Sequence, residues 1–133
     1  MRTLSIILLM SLPAMVFSQS NKQYFPFIAG AENEITVFTE SKPIYPRYKK
    51  IFEEYGYSGN GYCWEGHITQ ILEKINPDLL KHIRMDPEAG AFFAFADSKT
   101  NQIAFLKLLS PIFSDEKTLV SWIKKADHDR ISD

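Results

Sequence analysis

Ile83-Arg84-Met85-Asp86-Pro87-Glu88-Ala89-Gly90-Ala91-Phe92-Phe93-Ala94-Phe95-Ala96 decides the fold. Two short apolar runs, Ile83–Asp86 and Ala91–Ala96, flank a segment containing Pro87 and Gly90, the two strongest turn formers. They read as paired strands. In the second run Ala91, Phe93 and Phe95 fall on one face and Phe92, Ala94 and Ala96 on the other. A strand apolar on both faces is central in its sheet or covered on both sides.

Before this hairpin, Ile68, Ile71, Leu72 and Ile75 recur at the spacing of one helix face, a stripe that Trp64 opens. That helix is expected to start at Trp64 and to stop at Asn76-Pro77, with a short helical turn over Asp78–His82. After the hairpin, Asp97 and Ser98 can cap a helix carrying Ile103, Phe105, Leu106, Leu108 and Leu109, with Pro111 as its expected end. Ser114 is the expected cap of the last helix. Asp115 and Glu116 fall in its first turn and Lys124 and Lys125 in its last, as the helix dipole favours. Nearer the start, Tyr24–Ile28 reads as an edge strand and Ile35–Glu40 as a second strand. Pro46 suits the first turn of a helix placing Tyr48, Ile51, Phe52 and Tyr55 on one face, closed by Gly56. The order β, β, α, α, β, β, α, α predicts an α+β domain: a mostly antiparallel sheet with helices packed on it.

The first 18 residues have the organisation of a cleavable secretory signal. Arg2 supplies the positive charge, Leu4–Phe17 is an apolar run interrupted by Ser5, Ser11 and Pro13, and Val16 and Ser18 suit a cut before Gln19. The run is too short for a membrane-spanning helix, which needs about 20 apolar residues. Removing 18 of 133 residues leaves 115, the size of one domain, 19–133. A periplasmic or secreted protein is expected, without stable membrane insertion once the signal is gone.

The formal charge of −1, about −2 without Arg2, is too small to steer nucleic acid. Cys63 is the only cysteine, so no intramolecular disulfide can form and packing must hold the fold; a buried thiol and an intermolecular bridge both remain open. No phosphate loop, dinucleotide fingerprint or nucleophile elbow is present. Cys63 and His67, four residues apart, could face each other on a helix as a nucleophile and base. With no third residue to orient the imidazole, a hydrolase is the weaker reading. A structural zinc site normally draws four ligands from Cys and His, and the chain has one Cys and three His. Glu65 and His67 do not share a helix face, and Asp127-His128-Asp129 is expected in a mobile tail. No metal and no cofactor are expected.

Binding therefore comes to the front. Tyr55–Trp64 holds Gly56, Gly59 and Gly61 interleaved with Tyr57 and Tyr62. Three glycines in six residues imply positive φ or a close approach to the backbone. Aromatic side chains in such a loop give rigid contact area at low entropic cost. Trp64 is expected in the core, and Tyr57 stays open between core and surface.

Tyr55-Gly56-Tyr57-Ser58-Gly59-Asn60-Gly61-Tyr62-Cys63-Trp64-Glu65, with Asp86-Pro87-Glu88 ahead of an aromatic strand, resembles the signature of the immunity protein 51 family. The resemblance spans roughly residues 44–126. Gly56, Gly59, Gly61, Trp64, Asp86, Pro87 and Glu88 carry it. It departs at Cys63, where the family is expected to have a polar residue, and in the exported leader. It implies a non-enzymatic antidote that occludes a cognate bacterial toxin, encoded beside it, by stoichiometric binding. The contacts it suggests are Tyr57, Asn60, Tyr62 and Glu65, although Glu65 could equally serve its own helix start. A periplasmic binding module for another protein or a small ligand is the alternative, and a Cys63/His67 hydrolase is the third.

Overall fold

The structure, a computed structural model, describes residues 23–133. The leader of residues 1–18 lies outside the described residues. Four strands, β1 (Ile28–Ala29), β2 (Glu34–Phe38), β3 (Ile83–Met85) and β4 (Ala91–Ala96), form a sheet in the order β1-β2-β4-β3. Every pairing is antiparallel, with Ile28 opposite Thr36, Thr36 opposite Phe93 and Arg84 opposite Phe95. The expected hairpin is present, and β4 is central.

Among the described residues, the sheet is accompanied by the helices α1 (Ile44–Glu53), α2 (Gly61–Ile75), α3 (Pro77–Leu80), α4 (Lys99–Phe113) and α5 (Glu116–Lys125). Alternation along the strands sends Ile35, Val37, Phe92 and Ala94 into the core, where none has accessible surface. The opposite face carries Ile28, Phe38, Phe93, Phe95 and Arg84 and is left half-exposed. Of the two environments expected for β4, the central position is therefore the realised one. Trp64 anchors the core: its indole stacks on Phe113 at 4.8 Å and meets Tyr48 edge-on at 5.0 Å. Phe27 reaches the same cluster, edge-on to Phe105 and Phe113 at 5.6 and 5.4 Å. A domain of this size can bury such a core and fold without a disulfide.

Several boundaries differ from the expectations, each for a local reason. The aromatic segment before β1 is a turn, not a strand. The Phe27 amide donates to the Tyr24 carbonyl at 2.8 Å, which turns the Phe27 ring inward. Helix α2 starts three residues before Trp64, because the Asn60 side chain accepts from the Cys63 amide at 2.9 Å and caps it. Helix α4 runs through Pro111 to Phe113. Proline removes only its own donor; the Ser114 amide still reaches the Ser110 carbonyl at 2.9 Å across it, and Ile112 and Phe113 are buried. Asp115, not Ser114, caps α5, accepting from the Thr118 amide at 3.1 Å, while Ser114 remains helical at the end of α4. Ser98 caps α4 as expected.

Candidate functional site

The loop between α1 and α2 uses its three glycines for three different purposes. Gly56, at φ +87°, ends α1: its own amide donates to the Glu53 carbonyl at 3.1 Å and the Tyr57 amide to the Phe52 carbonyl at 3.1 Å. This is the paired-bond closure that favours glycine. Gly59, at φ +78°, lies against α1, where a Cβ would sit 3.3 Å from the Lys49 Cα. Gly61 has an ordinary φ but no room. A Cβ there would stand 2.7 Å from the Ala91 carbonyl carbon and closer still to the Glu88 and Ala91 carbonyl oxygens.

That close approach joins the two segments of the signature. The Gly61 amide donates to the Ala89 carbonyl at 3.2 Å, and the Glu88 amide to the Ala91 carbonyl at 2.9 Å, so the Asp86–Gly90 turn lies against the start of α2. The end of β2 arrives at the same place: the Thr39 amide donates to the Gly90 carbonyl at 3.0 Å, and Phe38 pairs with Ala91. One end of the domain thus gathers Phe38, Tyr62, Glu40, Asp86 and Glu88. Phe38 and Tyr62 are large side chains left 48% and 41% exposed. The Phe38 ring rests edge-on against Phe93 at 6.2 Å.

The four suggested contact residues divide. Tyr62 is on the surface. Glu65 is half-buried on the first turns of α2, and desolvation raises its carboxyl above the ordinary range. Asn60 is occupied in capping α2. Tyr57 is a core residue, 5% exposed, edge-on to His67 at 4.5 Å and stacked on His128 at 4.6 Å. Among the signature residues Trp64 is fully buried, whereas Asp86 and Glu88 are exposed.

Cys63 and His67 do face each other, with Sγ 3.6 Å from Nδ1. The pair is not poised as a nucleophile and base. Cys63 is buried, and burial pushes its thiol up to about 12, far from a thiolate at neutral pH. The His67 Nδ1 lies 2.9 Å from the Cys63 carbonyl oxygen, so it must donate there and cannot take the thiol proton. Burial also lowers the His67 pKa and keeps the ring neutral. Among the described residues, no group of three His, Cys, Asp or Glu is placed to hold a metal ion.

The tail is ordered, contrary to the expectation of mobility. Gln70 exchanges two hydrogen bonds with the Asp127 backbone, at 3.0 and 2.7 Å, and Arg130 makes a two-pronged ion pair with Glu73. Ile131 is buried against Gly66, where a Cβ would stand 2.8 Å from its side chain. The Asp133 carboxylate accepts from the Ser58 amide at 2.8 Å, which fastens the tail to the glycine loop. The only hint of this in the sequence is Gly66, an unexplained glycine within a helical stripe.

No curated protein and no solved structure matches the chain. The family model described as immunity protein 51 matches residues 37–128, which takes in the glycine loop, the 86–90 turn and every helix from α1 to α5. The chain belongs to the immunity protein 51 family.

Proposed function

We propose that this protein is an exported antidote that binds a cognate bacterial toxin one to one and blocks it, with no catalytic step. Family membership supports the role, and the leader-like residues 1–18 support export to the periplasm or beyond. The observation that carries the placement of the contact surface is the meeting of the two signature segments through Gly61. It sets the exposed aromatics Phe38 and Tyr62 among the carboxylates Glu40, Asp86 and Glu88. Exposed aromatics ringed by charge are the usual composition of an interface hot spot. Such a surface suits a toxin face rich in Lys and Arg, since carboxylates steer a basic partner and aromatic faces accept its cations. Tyr57 and Asn60 belong to the scaffold in this reading, and Tyr62 with Glu65 keeps the role of contact.

The test is neutralisation. The product of the neighbouring reading frame is directed to the periplasm, and survivors are counted with this protein supplied intact or lacking residues 1–18. Rescue by the intact chain alone supports a periplasmic antidote. Phe38→Asp with Tyr62→Ala should abolish rescue while the variant still unfolds cooperatively, at a melting temperature lowered by no more than the lost Phe38–Phe93 contact, about 1 kcal/mol, explains. Full protection by that double variant would refute the placement of the interface. A neighbouring product with no toxicity, or toxicity that this protein leaves untouched, would refute the role.

A further inference from the structure

The β3 edge of the sheet carries backbone groups that the rest of the chain does not bond. The ladder with β4 keeps its register beyond both ends of β3. The Asp97 amide donates to the His82 carbonyl, the Asp86 amide to the Phe93 carbonyl and the Glu88 amide to the Ala91 carbonyl, each at 2.9 Å. Backbone groups alternate in direction along an antiparallel ladder. With His82, Asp86 and Glu88 bonded towards β4, the amides and carbonyls of Ile83 and Met85 point away from the sheet. Neither residue makes a turn or loop hydrogen bond among the described residues. A shallow depression of about 300 Å3, bordered by His82, Ile83, Arg84 and Phe95, leaves the first part of this edge open. The opposite edge, β1, is two residues long and follows Pro26.

Side chains along the β3 edge alternate as well. His82, Arg84, Asp86 and Glu88 share the uncovered face, where the Arg84 guanidinium lies 4.5 Å from the centre of the Phe95 ring. An imidazole and a guanidinium are thus followed by two carboxylates, in an order antisymmetric about Met85. Charges on an edge ordinarily prevent pairing with another chain. Here their order permits it in one register. Two copies of the edge, antiparallel and centred on Met85, set each Arg84 beside the partner's Asp86 and each His82 beside the partner's Glu88. A shift of two residues sets Asp86 on Asp86 or Arg84 on Arg84, and like charges directly opposite destabilise a ladder. In the centred register Met85 exchanges both backbone bonds with the partner's Met85, and the Ile83 amide can donate to the partner's Pro87 carbonyl. Arg84 and Asp86 then fall at a non-hydrogen-bonded pair, where facing side chains come closest. Within one chain they approach only to 3.9 Å, and at 68% and 69% exposure both side chains can reach across.

We infer that this protein self-associates through β3 into a two-fold dimer that joins the two four-stranded sheets edge to edge, with reciprocal Arg84–Asp86 pairs fixing the register. The contact is a ribbon of backbone and surface side chains, smaller than a standard interface, so the dimer is weak and concentration-dependent. The inference does not rest on toxin binding. Asp86 and Glu88 also belong to the Phe38–Tyr62 end, so a basic partner there and a second copy compete for them.

Sedimentation velocity of the purified protein, from about 10 µM to about 1 mM, reads the association. In low salt the mean mass should rise towards that of a dimer, and about 0.3 M salt should weaken association several-fold. Arg84→Asp and Asp86→Arg each place like charges opposite one another, and each alone should weaken association about tenfold or more. Mixed one to one, the two variants meet with opposite charges at both pairs and should associate far better than either alone, which also shows that both are folded. Amide exchange at Ile83 and Met85 should slow at concentrations where the dimer forms. Four results would each overturn the inference: a chain still monomeric at about 1 mM in low salt, single variants that associate like the parent, a mixture no stronger than its components, or a dimer whose Met85 amide exchanges as fast as in the monomer.

Discussion

Replacing Gly61 by alanine tests the central junction directly. The added Cβ would stand 2.7 Å from the Ala91 carbonyl carbon, and every group it meets is backbone. Ordinary contact begins near 3.4 Å, and the two carbonyl oxygens lie closer than the carbonyl carbon, so α2 and the 86–90 turn must separate by more than about 1 Å. No side chain can rotate away to relieve this. Overpacking of this kind costs about 1–3 kcal/mol. Separation also stretches the bond from the Gly61 amide to the Ala89 carbonyl, already 3.2 Å, at about 1 kcal/mol. The helix preference for alanine over glycine returns somewhat less than 1 kcal/mol at a first-turn position. The balance is a loss of about 1–3 kcal/mol, or a melting temperature lowered by about 4–12 °C for a domain of this size. Gly66→Ala is the matched control. Its three nearest neighbours are Ile131 Cγ1, Cγ2 and Cβ, at 2.8–3.1 Å, which rotation of a β-branched side chain does not clear, so relief comes from a shift of the terminal tail rather than of two packed backbones. There the interior-helix gain of about 1 kcal/mol offsets most of the disturbance. Thermal and urea unfolding of both variants decide the matter. If Gly61→Ala is no more destabilising than Gly66→Ala, the junction is not the rigid contact described.

Burial lowers the His67 pKa below its ordinary 6.5, so between 6.5 and that lower value the unfolded chain binds more protons than the native one. Stability should therefore fall as pH drops below about 6.5, by up to about 1.4 kcal/mol per pH unit from this residue. His67→Gln should flatten the dependence of the urea midpoint on pH, and an unchanged slope would refute the assignment. Tyr48→Phe should cost about 1–2 kcal/mol, because the Tyr48 hydroxyl donates to the buried Phe113 carbonyl at 2.6 Å. Burial holds the Tyr48 phenol up at about 12, so wild-type stability should decline as pH rises from 10 towards 12, and the Phe variant should lose part of that decline. Ile131→Ala should cost about 2 kcal/mol and speed amide exchange around Ser58 and Tyr57. Equal exchange rates would mean the tail does not secure the loop. Gln102→Leu should cost about 1–3 kcal/mol, since its amide donates to the Gly30 and Glu34 carbonyls at 3.2 and 2.8 Å, and both would lose a partner.

Much of the fold was legible where the signal is periodic. The stripe Trp64, Ile68, Ile71, Leu72 and the alternation in Ala91–Ala96 each report a local geometry, because side-chain direction repeats every 3.6 or every two residues. The candidate site was legible only in part. Tyr57 and Tyr62 look alike in a glycine-rich loop, yet one is wedged between His67 and His128 and the other faces solvent. Asn60 reads as a contact residue as readily as a cap, because the same carboxamide serves both.

The sequence by itself determined most element types, the hairpin, the α+β class and the need for unusual backbone around Gly56–Gly61; that β4 is central, and that the aromatic segment before β1 turns, came with the structure. Period and turn chemistry act over a few residues and leave their mark in the order of side chains. Only the tertiary structure decided that Gly61 must lack a side chain because Glu88 and Ala91 lie against it, that the tail covers Tyr57 and His67, and that Phe38 joins Tyr62 at one end. Those facts depend on residues brought together from 24 to 75 positions apart. Nothing in a local pattern specifies which distant backbone will close on a given glycine, since that is set by how the helices and the sheet jointly exclude water.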